Sequence, residues 1–138
     1  MSAAEINEFL NRRNPAMLGV LGTLDSAGYP SSIPVWFRYD GRIITIWTTM
    51  ARAWPKHILR HPKVSFAVME TAPPFAAVLV KGTASLESNG KGHWDEVRQI
   101  TERYMPKYEV DDYIESWREL ETMCSVQPER FISWKRGY

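Results

Sequence analysis

Apolar and polar residues alternate, or form short apolar runs, along the middle of the chain. A run over residues 16–24 that contains two glycines predicts a buried strand, because glycine inside a strand marks a close backbone approach. The segments 63–69 and 76–87 alternate and predict two further strands. A glycine at the end of residues 25–28 predicts a hairpin loop after the first strand.

Residues 31–39 form another strand-like run, and this one contains a proline. Pro34 has no N–H group to donate, so it places the run at a sheet edge, a strand end or a bulge. Asp40-Gly41 is a typical two-residue hairpin and joins this run to a β-branched strand over residues 42–49. We therefore expect these two strands to be antiparallel neighbours.

Helical periodicity or a proline marks four further segments. The spacing of apolar residues predicts a helix over residues 3–12, and a basic helix is expected to begin at Pro55, whose missing N–H would be unpaired in a first turn anyway. Two further helical stripes follow and are interpreted as core-facing. The first contains Trp94, Val97, Ile100 and Tyr104 and is ended by Pro106; the second contains Val110, Tyr113 or Ile114, Trp117, Leu120 and Met123. After them, a short strand is predicted over residues 130–134.

The predicted order is a helix, three strands, a helix, two strands, two helices and a strand. Short hairpin links favour a mainly β fold, an antiparallel sheet of about six strands that is closed or nearly closed into a barrel, with helices at its rim. A chain of 138 residues is long enough for one substantial core, so we expect residues 1–138 to form a single domain.

Composition excludes several classes of protein. A net charge of +1, with 24% charged and 44% hydrophobic residues, is typical of a soluble protein and disfavours a nucleic-acid coat. The single cysteine, Cys124, excludes an intrachain disulfide, so we interpret it as a buried structural thiol and expect a cytoplasmic location. No apolar run has membrane-spanning length. His57, His61 and His93 lack the spacing of a metal-ligand set, so no metal site is expected.

Positive charge is concentrated around one junction between a strand and a helix. Residues 41–69 contain five Lys or Arg residues and no Asp or Glu. Thr48 and Thr49 end the strand, while Arg52 and Lys56 flank the start of the helix, where free N–H groups and the helix dipole favour anions. This cluster predicts a phosphate site, and the alternative is a solvated helix start without a ligand.

The chain resembles a known protein family in three stretches: MLGVLGTLDSAGYPSSIPVWFRYDGRIITIWTT, then a basic helix that ends in LRHPKVSF, then PPFAAVLVKGTASLE. From Met17 to Glu87 it is similar to the FMN-binding split β-barrel proteins related to pyridoxamine 5′-phosphate oxidase. It is closer to short bacterial members, which include reductases that depend on the deazaflavin F420 and relatives that handle heme or biliverdin. The resemblance implies a homodimer with flavin-type sites at the subunit interface.

The resemblance also implies which residues contact a cofactor. The ring-contacting strand of the family falls on residues 33–38, and its strand-end pair of an aromatic residue and threonine falls on Trp47 and Thr48. Together with the phosphate cluster, the candidate cofactor-binding residues are Ile33, Pro34, Val35, Trp36, Arg38, Trp47, Thr48, Thr49, Arg52, Trp54 and Lys56. No residue is assigned a catalytic role, because the cofactor carries the chemistry in such proteins.

Three departures distinguish the chain from the oxidase itself. Ala53 and Trp54 occupy the positions of the Arg-Lys pair that holds phosphate, so Arg52 and Lys56 are expected to replace that pair. Ala77 occupies the position of a glutamine near the ring, and the C-terminal arginine motif that binds substrate has no counterpart. These departures argue against oxidation of pyridoxamine phosphate. A tryptophan at the Trp54 position is instead similar to some deazaflavin-dependent nitroreductases.

We therefore expect a cytoplasmic, homodimeric oxidoreductase that uses FMN, or F420 in its place, for hydride transfer to or from a small organic substrate. The alternative is a flavin or heme/tetrapyrrole binding or carrier protein on the same fold, with heme the less favoured ligand. The sequence does not decide between FMN and F420, since both present a phosphate near a tricyclic ring. Neither a nucleic acid nor a membrane is an expected partner.

Overall fold

The computed structural model describes residues 1–88, 93–117 and 122–137. Its elements in chain order are α1 (Ala3–Leu10), β1 (Gly19–Leu24), β2 (Pro30–Val35), β3 (Arg38–Tyr39), β4 (Ile44–Thr48), α2 (Ala53–Arg60), β5 (Lys63–Met69), β6 (Ala77–Ser88), α3 (Trp94–Tyr104), α4 (Lys107–Trp117) and β7 (Thr122–Trp134). The seven strands in these ranges form one antiparallel sheet, ordered β2-β1-β5-β6-β7-β4-β3. The predicted fold class, a mainly β antiparallel barrel with surrounding helices, is confirmed. Across the same ranges, no helix has the length and apolar character needed to cross a membrane.

The sheet curls because its two edge strands are consecutive in the chain. Only Trp36 and Phe37 separate β2, at one edge, from β3, at the other. Three residue steps span at most about 10 Å, so the two edges must lie side by side at this crossing. The prediction of one strand over residues 31–39 is therefore wrong, and the sheet has seven strands instead of six. β3 pairs with β4 as expected, whereas β2 pairs with β1.

Turn chemistry fixes both hairpins that the sequence predicts. The Asp25 carboxylate accepts two backbone N–H bonds within the first loop, where Gly28 has a φ of 85°. The Asp40 carboxylate does the same in the loop between β3 and β4, where Gly41 has a φ of 94°. This second loop is longer than the two residues predicted. Pro34 lies on an edge strand, as its missing N–H group requires.

Helices α1 and α2 contribute to the core that the sheet encloses. Its buried side chains include Leu10 of α1, Ile58 of α2 and Phe66 of β5. Gly19 makes the close approach that the sequence predicts for residues 16–24, because a Cβ there would collide with the Phe66 ring. The main core is thus built from the inner face of the sheet and from these two helices.

Helix α3 packs on the outer face of β4. Ile46 belongs to the main core, whereas its neighbour Trp47 packs with Val97 and Ile100 of α3. Alternating residues of a strand point to opposite faces, so α3 covers the face that is turned away from the core. The helical stripe predicted over residues 94–104 therefore packs in a second apolar cluster on the outer face of the sheet, and not in the main core.

Strand β7 is the element that the sequence pattern predicts least well. It spans Thr122–Trp134 rather than residues 130–134, and Met123 lies in this strand instead of on a helical stripe. Met123 packs with α3 while Cys124 lies in the main core, so both faces of β7 are buried here. The sequence therefore lacks the alternation of apolar and polar residues that marks a strand with one exposed face. A shift of register between β6 and β7 at Gly82 interrupts the pattern again.

Two helix boundaries differ from the prediction. Helix α2 begins at Ala53, two residues before Pro55, and Arg52 is its N-cap. Pro55 still lies in the first turn, where its missing N–H group costs the helix no hydrogen bond. The described part of α4 ends at Trp117. Leu120, which was assigned to the same helical stripe, lies outside the described residues.

Arg103, near the end of α3, holds the crossing between the two sheet edges. Its buried guanidinium donates hydrogen bonds to the carbonyl oxygens of Leu10 at 3.0 Å, Arg12 at 3.3 Å and Phe37. The guanidinium carbon also lies 4.6 Å from the centroid of the Phe37 ring. Burial lowers the pKa of Arg103, and within the described ranges its hydrogen-bond partners are carbonyls rather than carboxylates. One side chain therefore joins α1, the crossing and α3.

Replacing Arg103 with methionine is expected to lower the free energy of unfolding by about 2–4 kcal/mol, because buried carbonyls lose their donors. Chemical unfolding in urea measures this change. The matched control is Arg98→Met on the same helix, whose exposed ion pair with Asp111 predicts a loss below about 1 kcal/mol. Equal losses in the two variants would contradict the role given to Arg103.

Cys124 is expected to be unreactive in the native protein. The side chain is fully buried, and burial raises its pKa to about 12. Because the thiolate is the reactive form, a disulfide reagent at about pH 8 should modify the thiol only after unfolding. Titration with and without urea measures this difference, and rapid modification of the folded protein would contradict the prediction.

Candidate functional site

A pocket of about 250 Å³ opens where β2, β4, α2 and α4 meet. Most of the residues predicted to bind a cofactor line this pocket. They are Pro34, Val35, Trp36, Trp47, Thr48, Thr49, Arg52 and Trp54. The structure therefore brings together the end of β2, the end of β4 and the start of α2, as the phosphate cluster and the family resemblance had implied.

Three predicted residues lie outside this pocket. Ile33 lines a shallower depression between β2 and α2. Arg38 lies on β3, where its guanidinium donates to both carboxylate oxygens of Glu96 on α3, at 2.8 and 3.0 Å. Lys56 is exposed on α2. Arg38 therefore attaches α3 to the barrel, and Arg52 is the cation of the predicted cluster that reaches the pocket.

Three lining residues were missed by the sequence analysis: Ile46, Tyr113 and Trp117. Ile46 belongs to a β-branched run and has no feature that separates it from the core. Tyr113 and Trp117 were assigned to a core-facing stripe, but Val110 and Ile114 supply the packing of α4. The sequence did contain a signal that separates the two roles. Val110 and Ile114 form an aliphatic pair four residues apart, and Tyr113 and Trp117 form an aromatic pair with the same spacing on a different part of the helix surface.

Aromatic rings form much of the pocket wall. Trp47 makes edge-to-face contacts with Tyr113, at a centroid distance of 6.0 Å, and with Trp117, at 5.9 Å. Trp36 contacts the same Tyr113 ring at 5.5 Å. The Tyr113 ring therefore touches both strand-borne tryptophans from α4, and the four rings form one continuous cluster.

Tyr104 fixes the orientation of Trp36. The two rings stack with a centroid distance of 5.1 Å and an interplanar angle of 9°. The Tyr104 hydroxyl donates to the carbonyl oxygen of Met17 at 2.7 Å and accepts a long 3.4 Å bond from the N–H of Phe37. Burial raises the pKa of Tyr104, so this hydroxyl keeps its proton at neutral pH. Trp36 is thus a fixed part of the wall.

Polar groups gather at the start of α2. The hydroxyl of Thr48 is buried and has no hydrogen-bond partner within residues 1–88, 93–117 and 122–137. Thr49 accepts the N–H of Ala51 at 3.2 Å. Arg52 makes no side-chain cap, so the first N–H groups of α2 have no capping side chain. An unpaired hydroxyl, a guanidinium and uncapped N–H groups together suit an anionic ligand.

Tyr113 lies within electrostatic reach of Arg52. Burial raises the pKa of the Tyr113 phenol, and the Arg52 guanidinium partly offsets the rise. The phenol is therefore protonated at neutral pH and can donate a hydrogen bond. The described residues that line the pocket include no Asp, Glu, His or Cys. Aromatic walls with a cationic end fit a planar ring that carries an anionic group.

Fold and pocket together define the class of protein, a split barrel with one aromatic pocket that ends at a helix N-terminus. The chain belongs to the pyridoxamine 5′-phosphate oxidase family, whose model matches residues 2–135. The family relation that the sequence implied is therefore confirmed. No curated protein sequence matches the chain.

Solved structures with the same fold differ in what their names describe. The chain is similar to a conserved hypothetical protein from Mycobacterium tuberculosis, with 22% identity, a TM-score of 0.78, and coverage of 97% of this chain and 84% of that one. It is similar to an F420 reductase, with 21% identity, a TM-score of 0.67, and coverage of 91% and 94%. It is also similar to the heme storage protein HutZ from Vibrio cholerae, with 20% identity, a TM-score of 0.71, and coverage of 98% and 94%. At such identities the likeness shows the fold.

The structure explains why the missing Arg-Lys pair leaves Arg52 as the phosphate candidate. Trp54 is 5% exposed and packs in the main core. Its side chain is uncharged and cannot pair with a phosphate. Ala53 is exposed and has no polar side-chain atom. Among the described lining residues, Arg52 is the one Lys or Arg. Any charge-assisted contact from a side chain to a phosphate in this pocket therefore depends on Arg52.

Replacing Thr48 with valine is expected to leave the free energy of unfolding unchanged, or to raise it by about 1 kcal/mol, since burying an unpaired hydroxyl is unfavourable. The same change is expected to weaken binding of a phosphate-bearing ligand. Thr23→Val is the control, because that hydroxyl lies 2.8 Å from Nδ1 of His57 and should cost about 1 kcal/mol when lost. A loss at Thr48 as large as that at Thr23, measured in urea without ligand, would contradict the prediction.

Proposed function

We propose that the protein is an oxidoreductase that binds a flavin-type cofactor, FMN or F420, in this pocket and acts on a small organic substrate. The observation that carries the proposal is the combination, in one pocket, of aromatic walls with an anion-binding corner at the start of α2. Membership of the pyridoxamine 5′-phosphate oxidase family supports it. A structure with the same fold is named an F420 reductase, which supports F420 as one of the two candidates.

The residues present fit the two ends of such a cofactor. Trp36 and Trp47 offer aromatic surface to a tricyclic ring, while Thr48, Arg52 and the N–H groups of α2 offer donors to a phosphate. The bound cofactor supplies the hydride chemistry. The chain supplies the binding energy, the orientation of the ring and a partly dry environment. The phenol of Tyr113 is the titratable group beside the ring surface that can donate a proton or a hydrogen bond to substrate.

We further propose that the protein works as a cytoplasmic homodimer, as the family resemblance implies. An apolar row on the outer face of the sheet supports a protein partner. The cross-strand neighbours Val20, Ala67, Leu79 and Ile132 form this row across β1, β5, β6 and β7. These four side chains are half-buried, and a partly exposed apolar row on a sheet face is typical of an interaction surface.

The alternative is a carrier protein that binds a flavin or heme without turnover. The structural likeness to a heme storage protein is the observation that keeps heme in consideration. Among the described lining residues, however, there is no His, Cys or Met, so Tyr113 would have to ligate the iron. A flavin needs no such ligand, and for this reason FMN or F420 is the preferred ligand.

A thermal-shift titration with FMN, F420 and heme, side by side, tests the proposal. A ligand at a hundredfold excess over its dissociation constant stabilises the native state by about 2.7 kcal/mol, which is readily measured as a rise in Tm. Arg52→Ala is expected to lose most of the rise, because each charge-assisted bond contributes roughly 1.5–3 kcal/mol. Arg60→Ala removes the same charge from the exposed end of α2 and should keep the rise.

The outcomes separate the candidates. A rise with FMN or F420, followed by cofactor reduction with NADH, NADPH or a substrate panel, supports the oxidoreductase. Stoichiometric binding without any reduction supports the carrier. Binding of heme alone, or no rise with any of the three ligands, overturns the proposed function.

A further inference from the structure

Helix α4 lines the pocket and helix α3 packs beside α4, but the two helices are attached to the barrel in different ways. Helix α3 is fixed by polar bonds, the Arg38–Glu96 ion pair at 2.8 Å and the bonds from Arg103 to three carbonyl groups. Helix α4 is joined to α3 by an exposed ion pair of Arg98 with Asp111 at 2.7 Å. Side-chain packing also holds the wall of the pocket that α4 supplies.

The contacts between α4 and α3 come from residues that do not line the pocket. Val110 is fully buried, and Ile114 packs against the cluster of buried residues on α3. Tyr113 and Trp117 are each only half-buried, and they reach the pocket instead. The two aromatic side chains thus line the cavity and contact the strand-borne tryptophans, while Val110 and Ile114 pack the helix against α3.

The opposite wall is rigid. Trp36 is stacked on Tyr104, whose hydroxyl is bonded to the main chain, and Trp47 is carried by β4, where it pairs with Met123 of β7. Tyr113 lies within contact distance of both tryptophans, at 5.5 and 6.0 Å between ring centroids, and Trp117 meets Trp47 at 5.9 Å. A planar ligand that stacks on either tryptophan must share this space with the two rings of α4.

We propose that Tyr113 and Trp117 are the specificity-determining residues of the pocket: they set the width that is available to a planar aromatic anion. Trp36 and Trp47 provide the surface on which such a ring rests, and the two rings of α4 limit its size. The inference rests on the proposed function only because it takes this pocket as the ligand site. It does not depend on whether the natural ligand is FMN, F420 or another planar aromatic anion.

Two features of the pocket agree with this assignment. The Tyr113 phenol lines the same pocket as Arg52 and lies within electrostatic reach of its guanidinium. Trp117 follows one helical turn later on the same face of α4. Shortening either side chain widens the pocket on one side and leaves Trp36, Trp47 and Arg52 in place.

The experiment compares wild type, Tyr113→Ala and Trp117→Ala, with Tyr108→Ala as the matched control. Tyr108 lies on the same helix and is 81% exposed. Dissociation constants are measured by fluorescence for FMN, for the larger ring of hemin, and for the small aromatic sulfonate 8-anilinonaphthalene-1-sulfonate. Each pocket variant is expected to bind FMN about fivefold more weakly, and the control should match wild type. Trp117→Ala, which widens the pocket and keeps the Tyr113 phenol, is also expected to shift its preference about fivefold toward hemin.

The sulfonate probe separates this inference from the proposed function. If wild type binds neither FMN nor F420 but the sulfonate affinity changes in both pocket variants and not in the control, the inference stands and the proposed function fails. If each ligand binds equally to all four proteins, or if no probe binds any of them, the inference is overturned. Should an alanine variant fail to fold, Tyr113→Leu and Trp117→Leu keep apolar packing and are judged by the same criteria.

Discussion

The structure depends on a two-residue crossing between sheet edges and on the buried cation that holds it. Strands β2 and β3 each present an open edge, and Trp36–Phe37 is the covalent link that brings those edges together. Hydrogen bonds between the edges do not close the barrel, so another interaction must fix the link. The planar guanidinium of Arg103 has enough donors, in a rigid arrangement, to serve three carbonyls at once. A lysine would supply the charge without that geometry.

The same crossing builds the ligand pocket. Phe37 turns into the core and contacts the Phe66 ring, whereas the preceding Trp36 turns outward and becomes a pocket wall. Stability and binding therefore share one short segment of backbone, and a change that loosens the crossing also displaces a wall of the site. The anion-binding corner lies at a different junction, between β4 and α2, and can change its ligand preference with less effect on the fold.

Features that neighbouring residues determine were predictable from the sequence. The edge position of Pro34 and the grouping of Thr48, Thr49 and Arg52 beside the start of α2 follow from local chemistry, although Lys56 of the same predicted cluster lies outside the pocket. Features that depend on distant partners were not predictable. Arg38 was assigned to the cofactor, but its partner Glu96 lies 58 residues away and becomes a neighbour only after α3 docks. Tyr113 was assigned to the core for a similar reason, because only the packed structure shows that other residues of α4 supply its packing.

The position of β7 between β6 and β4 also constrains the order of assembly during synthesis. β1, β2, β5 and β6 can form a four-stranded sheet as soon as they leave the ribosome, since each pairs with one of the others. The β3–β4 hairpin pairs with the sheet only through β7, which is translated later than every other strand described. Until β7 emerges, the β-branched edge of β4 is exposed and able to pair with another nascent chain. β7 is therefore the strand that joins the β3–β4 hairpin to the rest of the sheet, and it covers an edge of β4 that would otherwise be open to another chain.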